Sequence, residues 1–320
     1  VTGAAGFIGT HAVDAALEAG FRVRGSVRRE SQIEQLQNHF KSKAAEFVIV
    51  QDITKPGAYD GVLEGVDYVF HVASPLPSQT TDFKKSLIEP AVLGTTTILE
   101  AASKIPSIKR VVLTGSVIDL VPLLANSLVS VHTNAEEEDP EEEVTADPNE
   151  EFQDPFQAYR ASKVLAQQAA HEFLADKKPQ FSLTSIHPTT VLGRNLLQTS
   201  RNDISGTNAG LWRSLTSEKQ SVPGATWVHV RDVAEAHVKA LRPDIASGEK
   251  FLAKSGVLDW DEVKAFVKER YPSVQVGTSS GPTNYPVDGS KAERVLGMKW
   301  RHWKEAVSEV VDQQLDNSKL

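Results

Sequence analysis

The stretch AYRASK sets Tyr159 and Lys163 four residues apart, the spacing that places two side chains on one face of a helix. Ala166 and Ala170 continue that face with small residues, so the helix can pack closely and turn the pair into a cleft. A carbonyl that receives a hydride becomes an alkoxide and must take a proton. An isolated phenol titrates near 10; a lysine ammonium beside it favours the ionised form and eases proton release, and such general acid catalysis contributes roughly 10²–10⁴ in rate. Upstream, RVVLTGS ends a buried apolar run in Thr114, Gly115 and Ser116. A hydroxyl at the carboxyl end of such a strand faces the crevice where open α/β sheets bind ligands. From there Ser116 can donate to the same carbonyl oxygen. The plainer readings are a coincidental tyrosine and lysine, and a strand that simply ends.

The chain opens on VTGAAGFIG, with Gly3, Gly6 and Gly9 at every third position. A helix follows, because Gly9, Val13, Ala16, Leu17 and Gly20 fall at helical spacing. Gly3 would allow a tight turn, Gly6 the approach of backbone N–H groups to a pyrophosphate, and Gly9 close packing of helix on sheet. The next strand, FRVRGSVRRE, ends in Arg28 and Arg29 with no carboxylate before Glu30. A carboxylate there would accept from a ribose 2′-hydroxyl, whereas an arginine accommodates a 2′-phosphate, so NADP(H) is the expected cofactor and Lys163 is placed to hold its nicotinamide ribose. Two solvated arginines at the head of a helix are the alternative. Only Val1 remains of the strand that should precede the turn, which leads us to expect further apolar residues before Val1 and an open sheet position beside it.

Around these residues, short β-branched runs alternate with helical segments. FRVRGSV from 21, EFVIV from 46, DYVFHV from 67, IKRVVLTG from 108 and FSLTSIHP from 181 read as strands; THAVDAALEAG and EPAVLGTTTILEAAS read as helices. Strand and helix in alternation imply an α/β protein with a doubly wound parallel sheet, a Rossmann fold. Residues 1–187 are expected to form the NADP(H)-binding domain, completed by about 225–253, with 188–320 mainly a smaller substrate-binding lobe at the sheet's carboxyl edge.

The 320 residues contain no cysteine, which excludes disulfides and thiol catalysis, and no run of 18 apolar residues that would span a membrane. The histidines show no metal-ligand spacing. Of the formal charge of −8, eleven acids fall between Glu136 and Asp154 without a lysine or arginine, a pattern read as a solvated loop. No basic stripe points to nucleic acid.

Together these segments resemble an extended short-chain dehydrogenase/reductase, and more narrowly the dihydroflavonol reductase-like branch that includes fungal and yeast NADPH-dependent carbonyl, aldehyde and methylglyoxal reductases. The resemblance runs through VTGAAGFIG, VRGSVRR, QDIT, FHVASP, PAVLGTTTILEAA, RVVLTGS, AYRASK, WVHVRDVAEAHVKAL and YPVDGSKAERVLG, nearly the whole chain. It implies a catalytic triad of Ser116, Tyr159 and Lys163. It also implies that Thr2, Gly3, Gly6, Phe7, Ile8 and Gly9 hold the pyrophosphate, Arg28 the 2′-phosphate, and Asp52 with Ile53 the adenine. Val72, Ala73, Ser74 and Thr114 would run beside the cofactor, and Pro188 to Val191 would pass the nicotinamide. Asp232, at a helix start, reads as a cap.

Two departures stand out. The strand ends Thr-Gly-Ser where the family usually has Thr-Ser-Ser, and Ala91 stands where many members use an asparagine to support the lysine. The implied reaction is reduction of a small hydrophobic ketone or aldehyde by a cytoplasmic monomer or homodimer. VIDLVPLLANSLVSV after Ser116, with Phe83, Leu197, Trp212 and Trp227, is a candidate cleft lining, although such residues are more often plain core. Oxidation of an alcohol or hydroxysteroid by the same residues, and a non-catalytic NADPH sensor, are the rival readings.

Overall fold

In a computed structural model, which describes residues 1–41, 44–75, 82–120, 144–148, 150–152, 154–284 and 287–316, the strands and helices expected over the first 190 residues are present. They run α1 (Phe7–Glu18), β1 (Val23–Val27), α2 (Glu30–Phe40), β2 (Ala45–Ile49), β3 (Tyr68–His71), α3 (Glu89–Ser103), β4 (Arg110–Thr114), α4 (Pro155–Lys177) and β5 (Ser182–Pro188). There follow β6 (Thr190–Leu192), α5 (Gly206–Thr216), β7 (Thr226–His229), α6 (Val230–Lys239), β8 (Lys250–Ala253), β9 (Gly256–Val257), α7 (Trp260–Arg270), α8 (Ser290–Leu296) and α9 (Trp303–Leu315).

β1 pairs with β2, and β3, β4, β5 and β8 pair in that order, all in parallel. Thr2 joins the two halves by bridging Ser26 on one side and His71 on the other. Strand order therefore reverses at Thr2, which makes the crevice beyond it the switch point where such sheets bind ligands. β1 and β3 border a cavity of about 570 Å³ lined by Val1, Val23, Arg24, Tyr68 and Phe70.

The apolar runs of the central strands are buried on both faces, as a sheet covered by helices requires. In β4, Val112 points into a core with Ala12, Val13 and Ala16 of α1 and Val233 and Ala236 of α6. Its neighbours Val111 and Leu113 point the other way, against Ile98, Leu99 and Ala102 of α3 and Ala170 and Phe173 of α4. Strand alternation thus builds a helix–sheet–helix sandwich, each fully buried aliphatic side chain contributing about 1.5–3 kcal/mol.

The smaller unit centres on β6 and β7 in parallel, with β9 antiparallel to β7, and its core takes Leu211, Leu215, Trp227, Trp260, Val263 and Val310. Trp227, 2% exposed, belongs to that core and is a packing residue, whereas Trp212 and Leu197 are partly buried against the smaller and the larger core respectively. Ala292 and Leu296 of α8, with Met298, pack on the larger core although sequence position groups them with the smaller lobe.

Asp232 departs from its expected role. α6 is capped by His229, whose Nδ1 accepts from the Arg231 N–H at 3.1 Å. Asp232 is instead fully buried in an ion pair with Arg301, and it also accepts from the Arg301 backbone N–H at 2.9 Å and Ser255 Oγ at 3.2 Å. Among the described residues no helix is long and apolar enough to cross a membrane.

Candidate active site

The glycine turn closes tightly on itself. Gly3 takes a positive φ of 65°, and its carbonyl accepts from the Gly6 N–H at 2.8 Å. A Cβ added at Gly9 would sit 2.1 Å from that carbonyl oxygen, and one at Gly3 would meet the Ala73 backbone at 3.0 Å. α1 then begins with no side-chain cap and no acid in its first turn, so its leading N–H groups, those of Phe7 and Ile8 included, face outward at the positive end of the helix dipole. Such a turn suits a pyrophosphate. The Thr2 hydroxyl is already committed: it accepts from the N–H groups of Val72 and Ala73, both at 3.1 Å, and lies 3.0 Å from His71 Nδ1. Thr2 shapes the turn and ties it to the end of β3.

Arg28 and Arg29 are exposed at the end of β1, and no ion pair among the described residues engages either. Gln32 Oε1 accepts from both of their backbone N–H groups at 3.1 Å, which fixes the loop and leaves the guanidinium groups to solvent. Across the crevice edge, Asp52 accepts from the Thr54 hydroxyl at 2.6 Å and N–H at 2.9 Å; these bonds hold its carboxyl below the usual carboxylate range, with Lys55 and Arg28 adding to the effect. Ile53 packs so closely on α3 that a Cβ at Gly94 would meet its Cδ1 at 2.8 Å.

α4 carries the tyrosine and lysine. Asp154 caps it by accepting from Phe156 N–H at 2.6 Å and Gln157 N–H at 3.1 Å, and Pro155 supplies a preset first turn. Tyr159 is half-buried against a small cluster of Phe83, Leu87 and Ala158, which retains Phe83 beside the site. Lys163 is only 8% exposed; its Nζ lies 5.9 Å from the Tyr159 ring centre and donates to Ser74 Oγ at 3.0 Å. A buried ammonium with so few partners is placed to meet the hydroxyls of a bound ribose.

Ser116 lies two residues past the end of β4 and caps a turn over residues 117–119 that packs against α4. Its Oγ accepts weakly from the Ile118 N–H at 3.4 Å, so its own proton stays available to an incoming oxygen. The structure thus sets Lys163 and Tyr159 beyond the carboxyl end of β3, through Ser74, and packs the turn that follows Ser116, beyond the end of β4, on the same helix.

Thr114 and Val191 point elsewhere. Thr114 Oγ1 lies 2.7 Å from Nε2 of buried His237, whose Nδ1 faces the Val233 carbonyl at 2.8 Å. Val191 packs in the larger core and its carbonyl accepts from Thr207 Oγ1. Pro188 closes β5, opposite Ala253. Residues 121–131 of the proposed cleft lining and 136–143 of the acidic run lie outside the described residues. Sequence reading passed over Asp119 and His187, a fully buried pair 2.6 Å apart beneath Ser116; the signals were an acid three residues after the serine and a histidine inside the apolar strand SLTSIHP.

Burial pushes His237 down to about 4 and His71 down to about 3, the Lys163 ammonium adding to the second. Both are neutral in the fold but protonate near 6.5 in the unfolded chain. The unfolded state therefore binds more protons below that value, so stability is full above about pH 6.5 and falls as the pH drops toward 4. Thermal unfolding at pH 7 and pH 5 should show the lower midpoint at pH 5; equal midpoints would contradict the assignment.

A doubly wound sheet with a glycine turn at its switch point, facing a serine, a tyrosine and a lysine, defines a class of nucleotide-dependent oxidoreductase fold. Residues 1–252 match the NAD dependent epimerase/dehydratase family, and the chain belongs to it. Within that family it is an extended short-chain dehydrogenase/reductase, as its motifs implied. The ketoreductase sphI of Aspergillus fumigatus is 39% identical over 331 residues, covering 99% of this chain and 97% of its own. The NADPH-dependent methylglyoxal reductase GRE2 of Saccharomyces cerevisiae is 30% identical, with 98% and 97% covered. The crystal structure of yeast methylglyoxal/isovaleraldehyde reductase Gre2 complexed with NADPH aligns with a TM-score of 0.83 at 27% identity, over 99% of this chain and 98% of that one.

Proposed function

We propose that this protein is an NADPH-dependent reductase of ketone or aldehyde carbonyls. The observation that carries the reading is the buried Lys163 Nζ beside the Tyr159 ring and Ser74 Oγ, on the helix against which the turn that follows Ser116 packs. Relatives named as ketoreductases and as an NADPH-dependent methylglyoxal reductase support it. The chain's own residues fit the cofactor: a Cβ at Gly3 or Gly9 would strike the backbone that closes the turn on which its pyrophosphate would rest, and the Arg28 and Arg29 guanidinium groups are available to a 2′-phosphate. Asp52 and Ile53 would border the adenine, Ala73 and Ser74 the nicotinamide half, and Lys163 the ribose.

When bound, NADPH supplies the hydride. Ser116 donates a hydrogen bond to the carbonyl oxygen, stabilising the charge that grows there. Tyr159 passes its phenolic proton to that oxygen, and the Lys163 ammonium stabilises the negative charge left on the phenol. The crevice then releases an alcohol.

The test is nicotinamide absorbance followed with NADPH and with NADH against acetophenone, ethyl acetoacetate, methylglyoxal and isovaleraldehyde. Turnover with NADPH is expected. Replacing both arginines (R28A/R29A) should raise the KM for NADPH about 10–100-fold, the worth of a charge-assisted contact of about 1.5–3 kcal/mol, and leave that for NADH within about twofold. Equal losses with both cofactors would contradict the assignment of the arginines.

A further inference from the structure

Gly115, the departure beside the serine, has a physical cause. A Cβ at Gly115 would lie 2.5 Å from His187 Nδ1, 2.7 Å from its Cε1 and 2.8 Å from Asp119 Oδ2. The volume a side chain would need is thus filled by the Asp119–His187 pair, whose side chains are 1% and 0% exposed and 2.6 Å apart. The hydrogen bonds around it have one consistent direction. Gln167 Nε2 donates to Ser185 Oγ at 3.1 Å, and Ser185 Oγ lies 2.7 Å from His187 Nε2. Because a carboxylate oxygen accepts, Nδ1–H donates to Asp119 Oδ1, and Nε2 is then free to accept the Ser185 proton while Ser185 Oγ accepts from Gln167. The other Asp119 oxygen accepts from the Ser116 N–H at 2.9 Å, and the Ser116 carbonyl lies 3.4 Å from His187 Nδ1. Arg160, buried on α4, also attracts Asp119.

We propose that Asp119 and His187 are positioning residues that grip the Ser116 backbone from both sides and so aim its hydroxyl at the carbonyl oxygen. The proposal rests on the reductase reading above. A glycine at 115 has no side chain with which to fix the strand end, and the buried pair supplies that constraint from β5 and the turn after β4. A displacement of about 1 Å at a hydrogen-bond donor can cost about 10²-fold in rate, so the pair matters to turnover without touching substrate.

The test compares G115A, H187A, the double variant G115A/H187A, D119A and D119N with the unaltered protein, using the best carbonyl of the panel and NADPH binding by fluorescence. G115A, H187A and D119A should each lower kcat about 10–100-fold, with substrate KM and NADPH Kd within about twofold. The double variant should fall well short of the product of the two single losses, because removing the ring relieves the 2.5 and 2.7 Å contacts of the added methyl; independent roles would multiply instead. D119N, which keeps an acceptor for the Ser116 N–H, should recover part of the loss seen in D119A. Unchanged kcat in D119A and H187A, or losses that match only a reduced folded fraction by circular dichroism, would overturn the proposal. A variant that does not fold leaves a direct readout on the unaltered protein: a low-field proton resonance for His187 Nδ1–H, whose absence would also overturn it. Y159F and S116A run in parallel separate the two claims. If they keep full turnover the reductase reading of the site fails; if they lose it while the Asp119 and His187 variants do not, only the positioning role fails.

Discussion

Replacing Tyr159 by phenylalanine should lower kcat for carbonyl reduction by roughly 10²–10⁴, the contribution of a positioned general acid, and leave NADPH affinity within about twofold. The substitution is well chosen because the ring stays. Tyr159 packs beside Phe83, Leu87 and Ala158, and a phenylalanine keeps those contacts, so the fold and the Lys163–Ser74 hydrogen bond should persist. Only the proton-bearing oxygen is lost. Steady-state kinetics would then show a fall in kcat with KM little changed, the sign of an interaction made in the transition state. Turnover near normal would mean that another group protonates the alkoxide.

Gly9→Ala should abolish cofactor binding and destabilise the protein together. The new methyl carbon would lie 2.1 Å from the Gly3 carbonyl oxygen and 2.9 Å from its carbon, both backbone atoms that no side-chain rotation can move. The turn must open, at a cost of at least a few kcal/mol by analogy with overpacked cores, and the outward N–H groups of α1 lose their alignment. We expect NADPH Kd to rise more than about 100-fold, corresponding to about 3 kcal/mol, with a lower thermal midpoint. Gly20→Ala is the control. Its φ of 86° is also positive, so alanine there carries backbone strain of about 1–3 kcal/mol, but a Cβ would meet nothing within 4 Å. It should shift stability modestly and leave cofactor affinity unchanged. Equal effects from the two substitutions would contradict the close approach at Gly9.

The local geometry at Gly9 and at Tyr159 was legible in the sequence because its signals lie close together along the chain. The glycine spacing, the helix that follows and the four-residue step from Tyr159 to Lys163 each lie within one element, and α3 begins and ends where its apolar period and flanking residues indicate. Long-range pairing was not legible. Asp232 reads as a cap because it stands in a helix's first turn, but its partner Arg301 is 69 residues away and only the folded chain brings them together. Asp119 and His187, 68 residues apart, escaped notice for the same reason. Thr114 and Ser116 are two residues apart, yet Thr114 turns toward His237 and α6 while Ser116 begins the turn that meets α4. Trp227 and Val191 show the other limit: an apolar side chain near a strand end has the same pattern whether it lines a cleft or fills a core, and here both are buried.

The central claim is that a hydride from the nicotinamide reaches a carbonyl carbon in this crevice. NADPH deuterated at the transferring position of nicotinamide C4, incubated with the protein and the best substrate of the panel, tests it by mass spectrometry of the alcohol. One deuterium at the carbinol carbon is the result this account requires, and its loss with Y159F should follow the fall in turnover. NADPH that binds but transfers no deuterium to any carbonyl of the panel would contradict it.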